Sequence, residues 1–313
     1  MAAEAVKPVR PRVVLTRSLA DTEQQARLAS FADVVVADPA GLGAELASAR
    51  GLIAVWPDPV SAELLSGASR LQVIATVTAG SDHVDVAAAA RQGVEVVTGI
   101  GAAPASVAEY VIWAAVGLRR RFFVQATRMA AGETDWPTRF RSTPVSREVA
   151  GHVLGIAGFG HIGRRVATAA RSLGMRVLVH DPYARLEDDD GIEACGLDEL
   201  FRRSDVVSLH VPLTAATRGL VGLRQLQLLG PEGYLVDVSR GGVLDLDALE
   251  SALNSGDLGG VALDVYPDEP APDELVRRLD ATGRAILTPH VAGYSRDAAS
   301  ALCARAVDAM AGL

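Results

Sequence analysis

Short apolar runs alternate with helix-length segments along most of the chain, and few of the runs show a strict two-residue period. Runs buried on both faces look like this when helices cover both sides of a parallel sheet. In the first third, the pattern predicts strands at Val13–Thr16, Val34–Ala37, Leu52–Trp56, Val73–Val77 and Val94–Thr98. A helix is expected at Ser61–Ser69, with Ser61 as its N-cap. A long helix is then predicted from Pro104 to about Ala131, the proline lying near its start where a missing N–H costs little. The polar stretch Gly132–Arg147, with Trp136, Pro137 and Pro144, reads as a loop or arm.

Alternation restarts at Val153. Six more strands are expected, at Val153–Ala157, Arg176–His180, Val206–His210, Tyr234–Val238, Val261–Val265 and Ala285–Leu287. The acidic run Glu187–Asp190 reads as a solvated loop, and Ser295–Met310 as an amphipathic helix. The expected fold is α/β: two Rossmann-like or flavodoxin-like domains with doubly wound parallel sheets and an active cleft between them. The boundaries expected are 1–100 plus 292–313 for one domain and 101–291 for the other.

Composition narrows the class. Hydrophobic residues make up 49% and aromatics 4%, which suits two aliphatic cores in a chain of 313 residues. A net charge of −8 gives no overall field to attract nucleic acid. Cys195 and Cys303 are the only cysteines and stand far apart, so neither a disulfide framework nor a metal site is expected. The opening MAAEAVKPVRPR lacks an apolar stretch of signal-peptide length, and Val107–Leu118 is too short to span a bilayer. A cytoplasmic protein without membrane contact is the expectation.

Chemistry enters with VLGIAGFGHIGRRVATAARSLGMRVLVHDPY. Gly158, Gly160 and Gly163 form G-x-G-x-x-G between a strand and a helix. The first glycine permits the turn, the second lets backbone approach a pyrophosphate, and the third allows close helix packing. His161 and Ile162 sit inside this loop, where their backbone matters more than their side chains. Asp181 closes the following strand, where a carboxylate can accept from ribose hydroxyls and repel a 2′-phosphate. NAD is therefore expected in preference to NADP, although Arg185 lies nearby. Further candidates lie at strand ends. VDVSRGGVLD carries Arg240, VALDVYPDEP carries Asp264 and Glu269, and LTPHVAG carries His290. A cation and an acid/base are what a 2-hydroxy acid needs at its carboxylate and its C2 oxygen.

With these motifs, TAGSDHVD at 78–85 and SDVVSLHVPLTAATRGLV at 204–221, nearly the whole chain resembles the D-isomer-specific 2-hydroxyacid dehydrogenase family. The resemblance implies that Arg240 binds the substrate carboxylate and polarises the C2 carbonyl. His290 would then donate or accept the proton, and Glu269 would orient its ring and favour the imidazolium. Asp264 would lie beside the nicotinamide. Pro212, Val238 and Gly293, in the matching strand-end motifs, join the cofactor set. Thr78, Ala79 and Gly80 would cradle the substrate carboxylate, partly through backbone N–H groups. A glyoxylate- or hydroxypyruvate-type reductase is the expected activity, with a small anionic acid as substrate. A homodimer through the helix from Pro104 and its arm is also implied.

Departures from the family sharpen the reading. Members acting on phosphorylated substrates often carry a basic residue after the third N-terminal strand, where this chain has Trp56-Pro57-Asp58-Pro59. An acid there opposes phosphate. TAGSDHVD is also similar to formate dehydrogenases of the same superfamily, but those carry glutamine where Glu269 stands. Two other readings remain: a reductase of a phosphonate or phosphorylated 2-oxo acid, and an NAD-sensing corepressor-like binding protein.

Overall fold

The computed structural model describes residues 10–132, 146–185 and 191–313. The arm expected at Gly132–Arg147 and the acidic run Glu187–Asp190 lie almost wholly outside those residues. Contacts divide the chain into two compact units, one running up to Ala103 and resuming at Tyr294–Leu313, the other Pro104–Gly293.

The first unit runs β1 (Arg12–Leu15), α1 (Thr22–Phe31), β2 (Asp33–Val36), α2 (Leu42–Leu46), β3 (Gly51–Ala54), α3 (Ala62–Ser66), β4 (Val73–Thr76), α4 (Val86–Arg91) and β5 (Glu95–Val97). All five strands pair in parallel, in the order β2-β1-β3-β4-β5. Neighbouring side chains explain why the sequence showed no alternation. Val13 and Leu15 point into one buried cluster, with Ile53 and Ala75, while Val14, Leu52 and Ala54 point into the other. Each fully buried Val, Leu or Ile contributes roughly 1.5–3 kcal/mol. Asp21, Ser61 and Asp85 cap α1, α3 and α4 by accepting from backbone N–H groups in the first turn. The helix capped by Ser61 is shorter than the sequence pattern suggests, ending at Gly67.

The second unit opens with α5 (Pro104–Arg120) and α6 (Phe122–Ala130). These correct the single long helix expected from Pro104: Arg121 adopts φ 53°, a left-handed conformation that stops α5 and restarts the chain as α6. There follow β6 (Val153–Ala157), α7 (His161–Ser172), β7 (Arg176–His180), β8 (Ile192–Ala194), α8 (Leu197–Arg203), β9 (Val206–Leu209), α9 (Leu223–Leu229), β10 (Tyr234–Asp237), α10 (Leu246–Ser255), β11 (Gly260–Leu263), α11 (Asp273–Ala281) and β12 (Ala285–Leu287). The sheet has seven parallel strands, not the six expected, in the order β12-β11-β10-β9-β6-β7-β8. The addition is β8, an edge strand of one half-buried and two exposed residues paired with β7. The last helix, α12 (Arg296–Met310), is capped by Ser295 and returns Cys303, Val307 and Met310 to the core of the first unit.

Among the described residues no helix is long and apolar enough to cross a membrane.

Candidate active site

In a parallel sheet of this kind, ligands sit beyond the carboxyl ends of the strands where the strand order reverses. For the seven-stranded sheet that point lies between β6 and β9. Gly158 leaves β6 at φ 94°, and a Cβ there would stand 2.8 Å from the His210 carbonyl group on the loop leaving β9. Gly163 is equally confined, because a Cβ would meet the Gly158 carbonyl oxygen at 2.3 Å. Gly160 differs: a Cβ there would meet nothing within 4 Å. Two glycines thus pack the loop and the third faces open space at the N-terminus of α7, the place where a pyrophosphate is held. His161 begins that helix, with Ile162 packed against the core beneath it.

Asp181 follows β7 and is bound into the same loop. Its carboxylate accepts from the N–H groups of Phe159 at 2.7 Å, Tyr183 at 2.8 Å and Ala184 at 3.1 Å. Burial raises its pKa, but the three donors outweigh burial and hold it below the usual carboxylate range. A fixed negative charge therefore stands at the end of β7. Beside it is a cavity of about 160 Å³, lined in part by Val179, Pro182, Ala184, Ala194 and Cys195. The last two were missed in the sequence because they belong to β8 and its exit. The residues present fit a dinucleotide with unphosphorylated ribose.

His210 and Pro212 leave β9. The His210 ring is enclosed, with Nε2 2.8 Å from Ser208 Oγ and a buried Nδ1 that has no partner among the described residues. Burial pushes its pKa down to about 3, so this imidazole stays neutral and is no proton donor near pH 7. At the end of β10, buried Asp237 accepts from the Ser239 N–H at 2.9 Å and the Ser239 hydroxyl at 2.6 Å, across Val238. Ser239 in turn accepts through its carbonyl from Arg240 Nη1 at 2.8 Å. Asp237 thus fixes the turn that presents Arg240.

The turn carrying Arg240 is backed directly by the one carrying Glu269. A Cβ on Gly241 would lie 1.9 Å from the Tyr266 carbonyl oxygen and 2.5 Å from the Pro267 nitrogen. Glu269 accepts from the Tyr266 N–H at 3.1 Å through Oε1, and its Oε2 lies 2.7 Å from His290 Nδ1. A carboxylate only accepts, so Nδ1 carries the proton in this pair and Nε2 is the ring nitrogen that Glu269 does not engage. The imidazole is partly exposed, with 38% of its side-chain surface accessible, whereas Glu269 is covered to 18%.

His290 has φ 54°, which costs a non-glycine residue about 1–3 kcal/mol. Asp264 holds it there. Its two oxygens accept from the N–H groups of Val291 and Ala292, each at 2.8 Å, and from the Thr288 hydroxyl at 2.5 Å. Hydrogen bonds to a charged acceptor are each worth about 1.5–3 kcal/mol, enough to outweigh the strain. Tyr110 on α5 extends the chain, its hydroxyl 2.6 Å from Thr288 Oγ1. Gly293 closes the turn within van der Waals range of Val107. This bracing was not visible in the sequence, since it runs through backbone N–H groups.

In the first unit, Thr78, Ala79 and Gly80 leave β4 in a tight turn. Thr76 and Thr78 both donate their hydroxyls to the Gly80 carbonyl, at 3.3 and 2.7 Å. Among the described residues the Ala79 and Gly80 N–H groups have no partner. Asp58, read in the sequence as an acid that opposes phosphate, is paired with Arg17 through two bonds of 2.7 Å. No cluster of His, Cys, Asp and Glu suited to a metal occurs among the described residues.

The site's parts match known proteins. Residues 112–292 match the family model described as D-isomer specific 2-hydroxyacid dehydrogenase, NAD binding domain. The chain is 35% identical over 283 residues to the (S)-sulfolactate dehydrogenase of Chromohalobacter salexigens, covering 90% of this chain and 89% of that one. It is 34% identical over 299 residues to the glyoxylate reductase of Aeropyrum pernix, covering 92% and 88%. Among solved structures it resembles the D-lactate dehydrogenase of Aquifex aeolicus complexed with NAD and lactic acid. That match has a TM-score of 0.84 at 29% identity and covers 95% of this chain and 93% of that one. The chain belongs to the D-isomer specific 2-hydroxyacid dehydrogenases and is an NAD-dependent oxidoreductase of 2-hydroxy acids.

Proposed function

We propose that the chain reduces a small, unphosphorylated 2-oxo acid of the glyoxylate or hydroxypyruvate type, with His290 as the proton donor. The observation that carries the reading is the 2.7 Å contact between Glu269 and His290 Nδ1, which fixes the tautomer and orients the ring. NADH, when bound, supplies the hydride. Arg240 binds the substrate carboxylate and polarises the C2 carbonyl, and the Ala79 and Gly80 N–H groups are donors suited to an anionic substrate group. Glu269 keeps the proton on Nδ1 and orients the ring for transfer. Asp264 sets the backbone of the His290 turn, and its buried carboxylate is the negative neighbour proposed for the nicotinamide. Gly158, Gly160, His161, Ile162, Gly163, Asp181, Pro212, Val238 and Gly293 complete the cofactor set. The test is NADH oxidation followed at 340 nm against a panel of 2-oxo acids, with His290→Ala as control. Turnover that survives the substitution would remove His290 from the mechanism, and the absence of turnover with every acid would favour a sensor role.

A second reading has one observation in its favour. The relative named as a sulfolactate dehydrogenase acts on an acid with a second anionic group, and Arg17 is a cation at the carboxyl end of the first unit's sheet. Including sulfopyruvate in the panel separates the two.

We also propose a homodimer formed through α5 and α6. Trp113, Phe122 and Met129 on these helices are 46%, 50% and 54% exposed, more apolar surface than a lone helix pair ordinarily leaves in water. Light scattering of the purified chain tests this. A cytoplasmic location fits the free Cys195 and Cys303.

A further inference from the structure

The five-stranded sheet reverses its strand order between β1 and β3, and the loops leaving β1, β3 and β4 emerge side by side. Register fixes their level: Leu15 pairs with Ile53, Ala54 with Thr76, and the Thr16 N–H donates to the Ile53 carbonyl at 3.1 Å. Neighbouring strands lie about 4.8 Å apart, so the Thr78–Gly80 turn, the Trp56–Asp58 loop and Arg17 are separated by steps comparable with a three-carbon acid.

The loops are also tied together. Thr16 Oγ1 accepts from the Val55 N–H at 3.0 Å, the Val60 N–H donates to the His83 carbonyl at 2.7 Å, and the Asp85 N–H donates to the Val60 carbonyl at 2.9 Å. Arg17 spends Nε and Nη2 on the two oxygens of Asp58, each at 2.7 Å. That edge of a guanidinium is the one a carboxylate, sulfonate or phosphate binds in bidentate fashion. Arg17 keeps Asp58 ionised, pulling its carboxyl below the usual range against the effect of burial, with help from Thr16. Burial pushes the His83 imidazole the other way, toward the neutral form, and its Nε2 is buried without a partner among the described residues. The cluster therefore holds the Arg17 cation, the Asp58 carboxylate paired with it, and the His83 ring, with Asp82 a second carboxylate beside that ring.

The pair is open on one side only: the Arg17 side chain is 56% exposed, whereas that of Asp58 is mostly covered, at 15%. We propose that Arg17 and Asp58 form the specificity filter for the group on C3 of the substrate. Asp58 occupies the guanidinium edge that a second anion needs, so a hydrogen or a hydroxymethyl group is accepted and a terminal carboxylate, sulfonate or phosphate is refused. This rests on the 2-oxo acid reductase reading and names the substrate class within it.

The experiment compares kcat/KM for oxaloacetate and sulfopyruvate with kcat/KM for hydroxypyruvate, using NADH and the full chain. A ratio cancels any loss of folded enzyme. The parent chain should favour hydroxypyruvate. Asp58→Ala and Asp58→Asn should each raise the ratio for the dianionic acids by about tenfold or more, because a like charge is removed and a cation freed. Adding Arg17→Ala should return the ratio toward the parent value. A ratio that Asp58→Ala and Asp58→Asn leave unchanged overturns the filter, as does a rise that persists without Arg17, or a parent that prefers oxaloacetate. Failure of the parent to turn over any 2-oxo acid overturns the reductase reading, and the filter with it.

Discussion

The two ends of the seven-stranded sheet use carboxylates for different work. At the amino end, Asp205 accepts from the Val153 N–H at 2.8 Å, His152 Nδ1 at 2.9 Å and Arg119 Nη1 at 3.2 Å. Arg119 is 1% exposed and, among the described residues, reaches one other acceptor, the Glu148 carbonyl at 3.0 Å. Asp205 there offsets a charge that the fold has already buried. At the carboxyl end, Asp237 and Asp264 have no cation as hydrogen-bond partner among the described residues. They accept instead from backbone N–H groups and hydroxyls of the turns that present Arg240 and His290. One end stores compensation, and the other stores geometry. A carboxylate's burial alone therefore says little about its role, whereas the identity of its donors says a great deal.

Breaking this contrast should separate activity from stability. His290→Ala should lower kcat/KM by about 10²–10⁴-fold while leaving the thermal midpoint nearly unchanged; steady-state kinetics beside a melting curve checks both. Asp205→Ala should do the reverse. It strands the Arg119 charge, for which about 3–5 kcal/mol of stability is expected to be lost in urea titrations, with kcat retained in the folded fraction. Asp237→Asn probes the geometric end through pH. Burial lifts the Asp237 carboxyl to about 6, against the pull of the two Ser239 donors. A folded pKa above the unfolded one contributes stability that is complete below about pH 4 and is lost as pH rises through about 6. The parent should therefore lose on the order of 2–3 kcal/mol across that window. The asparagine variant should lose less, as urea titrations between pH 4 and 7 would reveal. Tyr110→Phe is the mildest cut. Losing the hydroxyl contact to Thr288 should cost about 1 kcal/mol and raise KM or lower kcat only slightly, which calorimetry and kinetics can measure together.

The strands that carry these residues were legible wherever they were buried on both faces. Val153–Ala157 and Arg176–His180 match the sequence pattern residue for residue. Most of the others end one or two residues early, because the chain leaves the ladder to enter a loop. Ile192–Ala194 was not legible: three residues, two of them exposed, make no apolar run that could signal an edge strand. Nor was the break at Arg121, where no glycine or proline announces the change of direction. Glu269 and His290 could be named from their strand-end motifs. The neutralisation of Asp58 by Arg17 could not, since the partners lie far apart in sequence and meet only because β1 and β3 are neighbours.

The contact between Gly241 and the Tyr266–Pro267 backbone bears on how this enzyme can change. Even a methyl group at 241 must push two main chains apart, so the loops bearing Arg240 and Glu269 cannot be remodelled one at a time. Adaptation to a new acid is thereby steered away from these loops and toward the more exposed residues around Arg17, where, if the proposed filter holds, a substitution should alter preference and leave the chemistry in place.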